Sequence, residues 1–188
     1  MQPARRHWLA TAAGVLAAST CPLLQAHADG AGEDKAAALP ARPAPPASPA
    51  MPALGSLLPL PDMPLLDGGS FHAADAQGRV LVLYWWASWC PFCAQQSPAM
   101  QALWRAQQSR GLLMLGLSID RKAEDASRHV AQHGYTFPAA WLTPAVARLL
   151  PKPRGLPVTV VRGRDGRVLV AESGQLFPED VEQFARLL

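Results

Sequence analysis

Two cysteines three residues apart, Cys90 and Cys93, stand where a continuously apolar run gives way to a helical pattern. Arg79–Trp86 reads RVLVLYWW, β-branched and aromatic with no polar alternation, as a strand buried on both faces must. From Cys93 to Arg110 the residues Met100, Leu103 and Trp104 fall at i, i+3 and i+4, one face of a helix that Gly111 ends. A cysteine at the start of a helix meets free N–H groups and the positive end of the helix dipole, and both favour its thiolate. A second cysteine one turn on is close enough to close a small disulfide ring with the first. The arrangement predicts Cys90 as an exposed nucleophile that attacks a disulfide, and Cys93 as the group that resolves the mixed disulfide.

The rest of the carboxy-terminal part supports that junction. Leu112–Ile119 is a second apolar strand, and Lys122–His133 a polar helix stopped by Gly134. A short helix is expected around Pro144–Leu150. Val158–Val161 and Arg167–Val170 flank a Gly-, Asp- and Arg-rich turn and form a hairpin. Pro178 opens a last helix to Leu188, with Glu179 and Asp180 in its first turn. Strand, helix, strand, helix, hairpin, helix is an α/β order with a mixed sheet.

What precedes reads as address and spacer. Arg5 and Arg6 lead into an uncharged apolar run, Trp8–Leu24, and Ala26-His27-Ala28 supplies small residues before a cleavage point at Asp29. Residues 1–28 are therefore expected to be a signal peptide of the Sec or twin-arginine kind, removed rather than retained as an inner-membrane anchor through residues 8–24. Cys21 leaves with it, so three cysteines become two, in a compartment where disulfide chemistry runs. The signal carries two arginines and no acidic residue, so its loss takes the formal charge from +3 to +1. That balance argues for neither nucleic acid nor an anionic membrane as partner. Residues 29–57, rich in Pro and Ala, are expected to form a flexible linker, and 58–188 the folded domain.

The block Trp86–Cys93, WASWCPFC, resembles the active-site motif of thioredoxin-like proteins. Residues 58–188 as a whole resemble the exported TlpA/ResA/CcmG-type thiol–disulfide oxidoreductases. Pro61-Asp62-Met63-Pro64-Leu65 and Asp67-Gly68 look like that family's domain start, and Pro98 falls where thioredoxins kink the active-site helix. Gly155-Leu156-Pro157-Val158-Thr159 looks like its cis-proline loop, which faces the cysteine pair. The resemblance implies a thioredoxin fold, a central mixed sheet flanked by helices. It also implies substrate contacts at Trp89, Pro91, Phe92, Leu156 and Pro157, with Leu156 offering backbone groups to an extended segment.

No cofactor is expected beyond the Cys90–Cys93 pair itself, and no metal. Expected partners are protein thiols and disulfides and a membrane thiol-transfer reductant of the DsbD/CcdA kind, the chain being a periplasmic monomer that reduces protein disulfides. Two alternatives share the cysteine pair: a disulfide-forming oxidant, and a Cu(I)-binding chaperone or thiol module.

Four positions depart from the family. Gln96 stands where many members carry Glu, and Tyr84 where thioredoxins carry a buried Asp; both acids assist proton transfer. Pro91 and Phe92 replace the thioredoxin Gly-Pro pair, which bears on the reduction potential. Elsewhere the plainer readings are expected. His129 and His133 belong to a solvated helix face rather than a zinc site, and Arg162, Arg164 and Arg167 to a solvated turn. Trp85 and Trp86 point to opposite faces of their strand with at least one in the core, leaving Trp89 as the partner-facing aromatic.

Overall fold

A computed structural model describes residues 50–188; the expected signal sequence, and the linker as far as residue 49, lie outside the described residues. The chain runs β1 (Met63–Pro64), β2 (Ser70–Phe71), β3 (Leu81–Trp86), α1 (Pro91–Gln107), β4 (Leu113–Ser118) and α2 (Ala123–His133). It continues through β5 (Ala139–Trp141), α3 (Pro144–Leu149), β6 (Val158–Arg162), β7 (Val168–Ser173) and α4 (Pro178–Glu182). β1 and β2 pair as a small hairpin, and the other strands form one sheet in the order β5-β4-β3-β6-β7. β3 runs parallel to β4 and antiparallel to β6, so the sheet is mixed.

The central place of β3 accounts for its sequence. It has neighbours on both edges and packing on both faces, and all six of its residues are buried. Trp85 joins one cluster with Leu83, Leu117, Val158 and Val160, while Trp86 joins the other with Tyr84, Met100, Leu103 and Phe137. Both indoles are therefore core, and truncation of either to alanine costs about 3–5 kcal/mol. Gly116 on β4 lies under the second cluster. A Cβ there would come 2.7 Å from Phe137 Cε2 and 3.0 Å from Trp86 Nε1, so only glycine lets those rings approach the sheet.

Several boundaries differ from the sequence reading. The active-site helix begins at Pro91 rather than Cys93, because proline's fixed φ suits a first turn whose N–H groups have no partner anyway. Pro98 lies within that helix. The terminal helix is not continuous: α4 ends at Glu182 and the chain tightens into a 3-10 helix, Gln183–Leu187. β5 has no counterpart in the pattern; three residues, two of them Ala, carry no readable periodicity.

The arginine turn is also more structured than a solvated one. Arg162 Nε donates to the Leu58 carbonyl and its Nη1 to the Ala76 carbonyl, while Arg167 Nη1 donates to the Gly55 carbonyl. Arg164 alone of the three stays exposed without such a bond. With the Gly55 N–H on the Val168 carbonyl, these contacts attach residues 55–58 to β6 and β7. No helix among the described residues is long and apolar enough to cross a membrane.

Candidate active site

β3 ends at Trp86 and the chain turns through Ala87–Trp89, with the Cys90 N–H donating to the Ala87 carbonyl at 3.1 Å. Cys90 is the N-cap of α1. Its backbone is extended, and its sulfur accepts the Cys93 N–H at 3.2 Å. That contact spends one of the orphan donors of the helix start on the sulfur, and a sulfur carrying negative charge is the better acceptor. The Cα atoms of Cys90 and Cys93 are 5.2 Å apart and the two residues form a disulfide.

Cys90 is only 4% exposed, which corrects the expectation of an exposed nucleophile. It is reached instead through a groove of about 380 Å³. One wall is Trp89, Cys90, Pro91 and Phe92; Ile119 and the loop residues Lys152, Gly155 and Leu156 supply the rest. Trp89 and Phe92 stand out from the surface, 64% and 54% exposed, beside the buried sulfur. The Leu156–Pro157 bond is cis. Of the residues expected to meet substrate, Trp89, Pro91, Phe92 and Leu156 line the groove, whereas Pro157 is buried and does not. Cys93, 1% exposed, is likewise outside the lining.

Two of the departures from the family pattern, Tyr84 and Gln96, are buried. Tyr84 donates its hydroxyl to the Cys93 carbonyl at 3.2 Å; its single proton thus spent, it accepts from Ser97 Oγ at 3.0 Å. Burial pushes its pKa far up, so it remains a neutral donor and is no proton acceptor at neutral pH. Gln96, 1% exposed, donates to Thr159 Oγ1 at 2.9 Å and accepts the Leu176 N–H at 2.8 Å. It ties α1 to β6 and to the segment before α4, and needs both the amide and the carbonyl end to do so. A carboxylate there would have nothing to donate to Thr159.

Asp120 is the residue that sequence reading missed. It is 4% exposed, and its carboxylate accepts from Ser88 N at 3.1 and 3.2 Å, Ser88 Oγ at 2.7 Å and Ser118 Oγ at 2.7 Å. Its own carbonyl accepts the Trp141 indole N–H at 2.8 Å. The turn that carries Cys90 is thereby fastened to the ends of β4 and β5.

His129 departs from expectation by being part-buried, whereas His133 is exposed as a solvated helix face requires. Their rings lie 4.1 Å apart, His129 packs on Trp86 at 5.3 Å, and His133 stacks on Tyr135 at 5.4 Å. Burial, and secondarily His133, hold the His129 pKa below its ordinary 6.5, with Asp120 opposing weakly. A base whose folded pKa is depressed takes up its proton first in the unfolded chain, so its linkage favours folding least below pH 6.5. The urea midpoint is expected to fall between pH 7.5 and pH 5.5, and to fall less in His129→Phe. Equal falls in the two proteins would exclude His129 as the source.

A cysteine pair at a strand-to-helix junction, on a mixed sheet and across a groove from a cis-proline loop, defines a thioredoxin-fold thiol–disulfide oxidoreductase. Known proteins give the family. The sequence profile of the AhpC/TSA family matches residues 54–148, just over half of the chain, and the chain belongs to that family, in its TlpA/ResA/CcmG branch. It is similar to the thiol-disulfide oxidoreductase ResA of Halalkalibacterium halodurans, 24% identical over 126 residues, which covers 65% of this chain and 70% of ResA. A thiol:disulfide interchange protein of the thioredoxin family from Chlorobium tepidum superimposes with a TM-score of 0.66 at 22% identity, over 71% of this chain and 96% of its own. A second Chlorobium tepidum chain, assigned as DsbE, gives 0.63 at 28% identity, over 72% and 95%.

Proposed function

We propose that this protein is a periplasmic reductase of protein disulfides, with Cys90 as nucleophile and Cys93 as resolving thiol. The observation that carries the reading is the placement of Cys90: N-cap of α1, its sulfur on the Cys93 N–H, at the wall of an apolar groove with Trp89 and Phe92 exposed beside it.

The reduced protein starts as a Cys90 thiolate and a Cys93 thiol. The thiolate attacks one sulfur of the substrate disulfide, forming a Cys90–substrate bond and expelling the other substrate sulfur as thiolate. Cys93 then gives its proton to the substrate thiolate just expelled and attacks Cys90 Sγ, which forms the Cys90–Cys93 disulfide and releases the second substrate thiolate. Two electrons pass to the substrate, and the cysteine pair carries them without a further cofactor. Leu156 offers backbone groups to an extended substrate segment, while Trp89, Pro91 and Phe92 cover its apolar side chains. Return to the dithiol requires an external dithiol donor; a membrane thiol-transfer protein of the DsbD/CcdA kind supplies that chemistry to an exported monomer. Residues 1–28 act as the export signal, 29–57 as the spacer, its last residues from Gly55 on docked against β6 and β7, and 58–188 as the catalytic domain.

The direction of flow is tested by equilibrating the pair against glutathione buffers. A reduction potential near thioredoxin's, about −270 mV, supports a reductase, and one near that of the strong oxidants, about −120 mV, overturns it.

A further inference from the structure

Lys152 is the only charged side chain in the lining of the cysteine groove. It stands five residues before Pro157, on the loop that forms the wall across from Trp89 and Phe92. Its ammonium donates to the carbonyls of Pro153 and Gly155, the latter at 2.7 Å, so a long and flexible side chain is held against its own loop. The loop is fastened in turn, since Ser173 Oγ donates to the Arg154 carbonyl at 3.1 Å. An ammonium has three donors, and two are spent. It forms no ion pair among the described residues, and partial burial lowers its pKa. The other lining residues are apolar or cysteine apart from Gly155, so nothing else in the groove distinguishes one charged substrate from another.

We propose that Lys152 is a specificity-determining residue of the exchange site: clasped by the Pro153 and Gly155 carbonyls, its ammonium presents a fixed positive charge and one free N–H to the groove, and so selects substrate segments with an acidic residue beside the cysteine that Cys90 attacks. This rests on the exchange reading above and adds the substrate class. Trp89 and Phe92 give contact area that any apolar segment can use, whereas the ammonium discriminates by sign.

The test uses the reduced full-length chain and three disulfide-linked peptides that differ only in having Asp, Ser or Lys next to the cysteine. Wild type is expected to reduce the Asp peptide about tenfold more efficiently than the Lys peptide, with the Ser peptide between. The difference should reside in KM and shrink in high salt. Lys152→Arg should keep the order and Lys152→Gln should bring the three peptides within about twofold of one another. A preference for Asp that survives Lys152→Gln overturns the proposal. So does an equal slowing of all three peptides, which would reduce Lys152 to a clasp for its loop. Failure of wild type to reduce any of the three would overturn the exchange reading itself, and the proposal with it.

Discussion

Serine in place of Cys90 is expected to abolish disulfide exchange, with a loss of at least roughly a thousandfold in kcat/KM, because no other sulfur lines the groove. Cys93 cannot substitute. It is 1% exposed and lies on the first turn of α1 outside the lining, its backbone N–H directed at Cys90 Sγ rather than its sulfur at the groove. The opposite variant should behave differently. Cys93→Ser keeps the nucleophile and removes the group that cleaves the first intermediate, so covalent Cys90–substrate species should accumulate and survive non-reducing electrophoresis. Incubated with an oxidised protein substrate, Cys93→Ser should give an adduct of summed mass that dithiothreitol dissolves, and Cys90→Ser should give none. Residual turnover by Cys90→Ser, or an adduct that persists when Cys90 rather than Cys93 is kept as serine, would invert the assignment of the two thiols.

The difference in legibility between these cysteines and their surroundings has a physical origin. The pair, the strand before it and the helix after it are contiguous, and a chain's local periodicity reports such features directly. β3 is legible because a strand with neighbours on both edges and packing on both faces has no polar positions to confuse the pattern. The groove is only half legible. Trp89–Phe92 stand inside the motif, but Lys152 joins them solely because antiparallel pairing of β6 with β3 brings its loop alongside. The burial of Cys90 is illegible for a related reason: helix-start chemistry says what a thiol experiences electrostatically, and nothing about the side chains that flank it. Asp120 shows the same limit most sharply. Its partner Ser88 is distant in sequence, and the two meet because β3 and β4 run parallel with Trp86 opposite Ser118. An acid after an apolar strand looks, in the sequence, like an ordinary loop residue.

That network makes Asp120 the position outside the cysteines where substitution is expected to affect both stability and exchange. Asp120→Ala removes a buried carboxylate and leaves the Ser88 N–H, the Ser88 hydroxyl and the Ser118 hydroxyl without their acceptor. Hydrogen bonds to a charged acceptor are worth more than neutral ones, and donors left behind in a dry site add their desolvation cost. A loss of about 3 kcal/mol in unfolding free energy follows, read as a lowered urea midpoint at constant slope. Asp120→Asn keeps the volume but turns an N–H₂ group toward donors that already have no acceptor to spare, so it should recover less than half of that loss. Ser88→Ala removes one donor and the Oγ contact alone, and should cost about 1 kcal/mol. Combined with Asp120→Ala it should cost less than the sum, because the two residues act on the same contacts.

The turn from Ala87 to Cys90 is anchored at Ser88, so loosening it displaces the N-cap sulfur from the start of α1. Asp120→Ala should therefore lower kcat/KM about tenfold while the protein remains folded, with the loss in the rate of Cys90 alkylation as well as in turnover. A folded Asp120→Ala protein that alkylates at the wild-type rate would show that the network holds β4 and β5 together and leaves the nucleophile where it was.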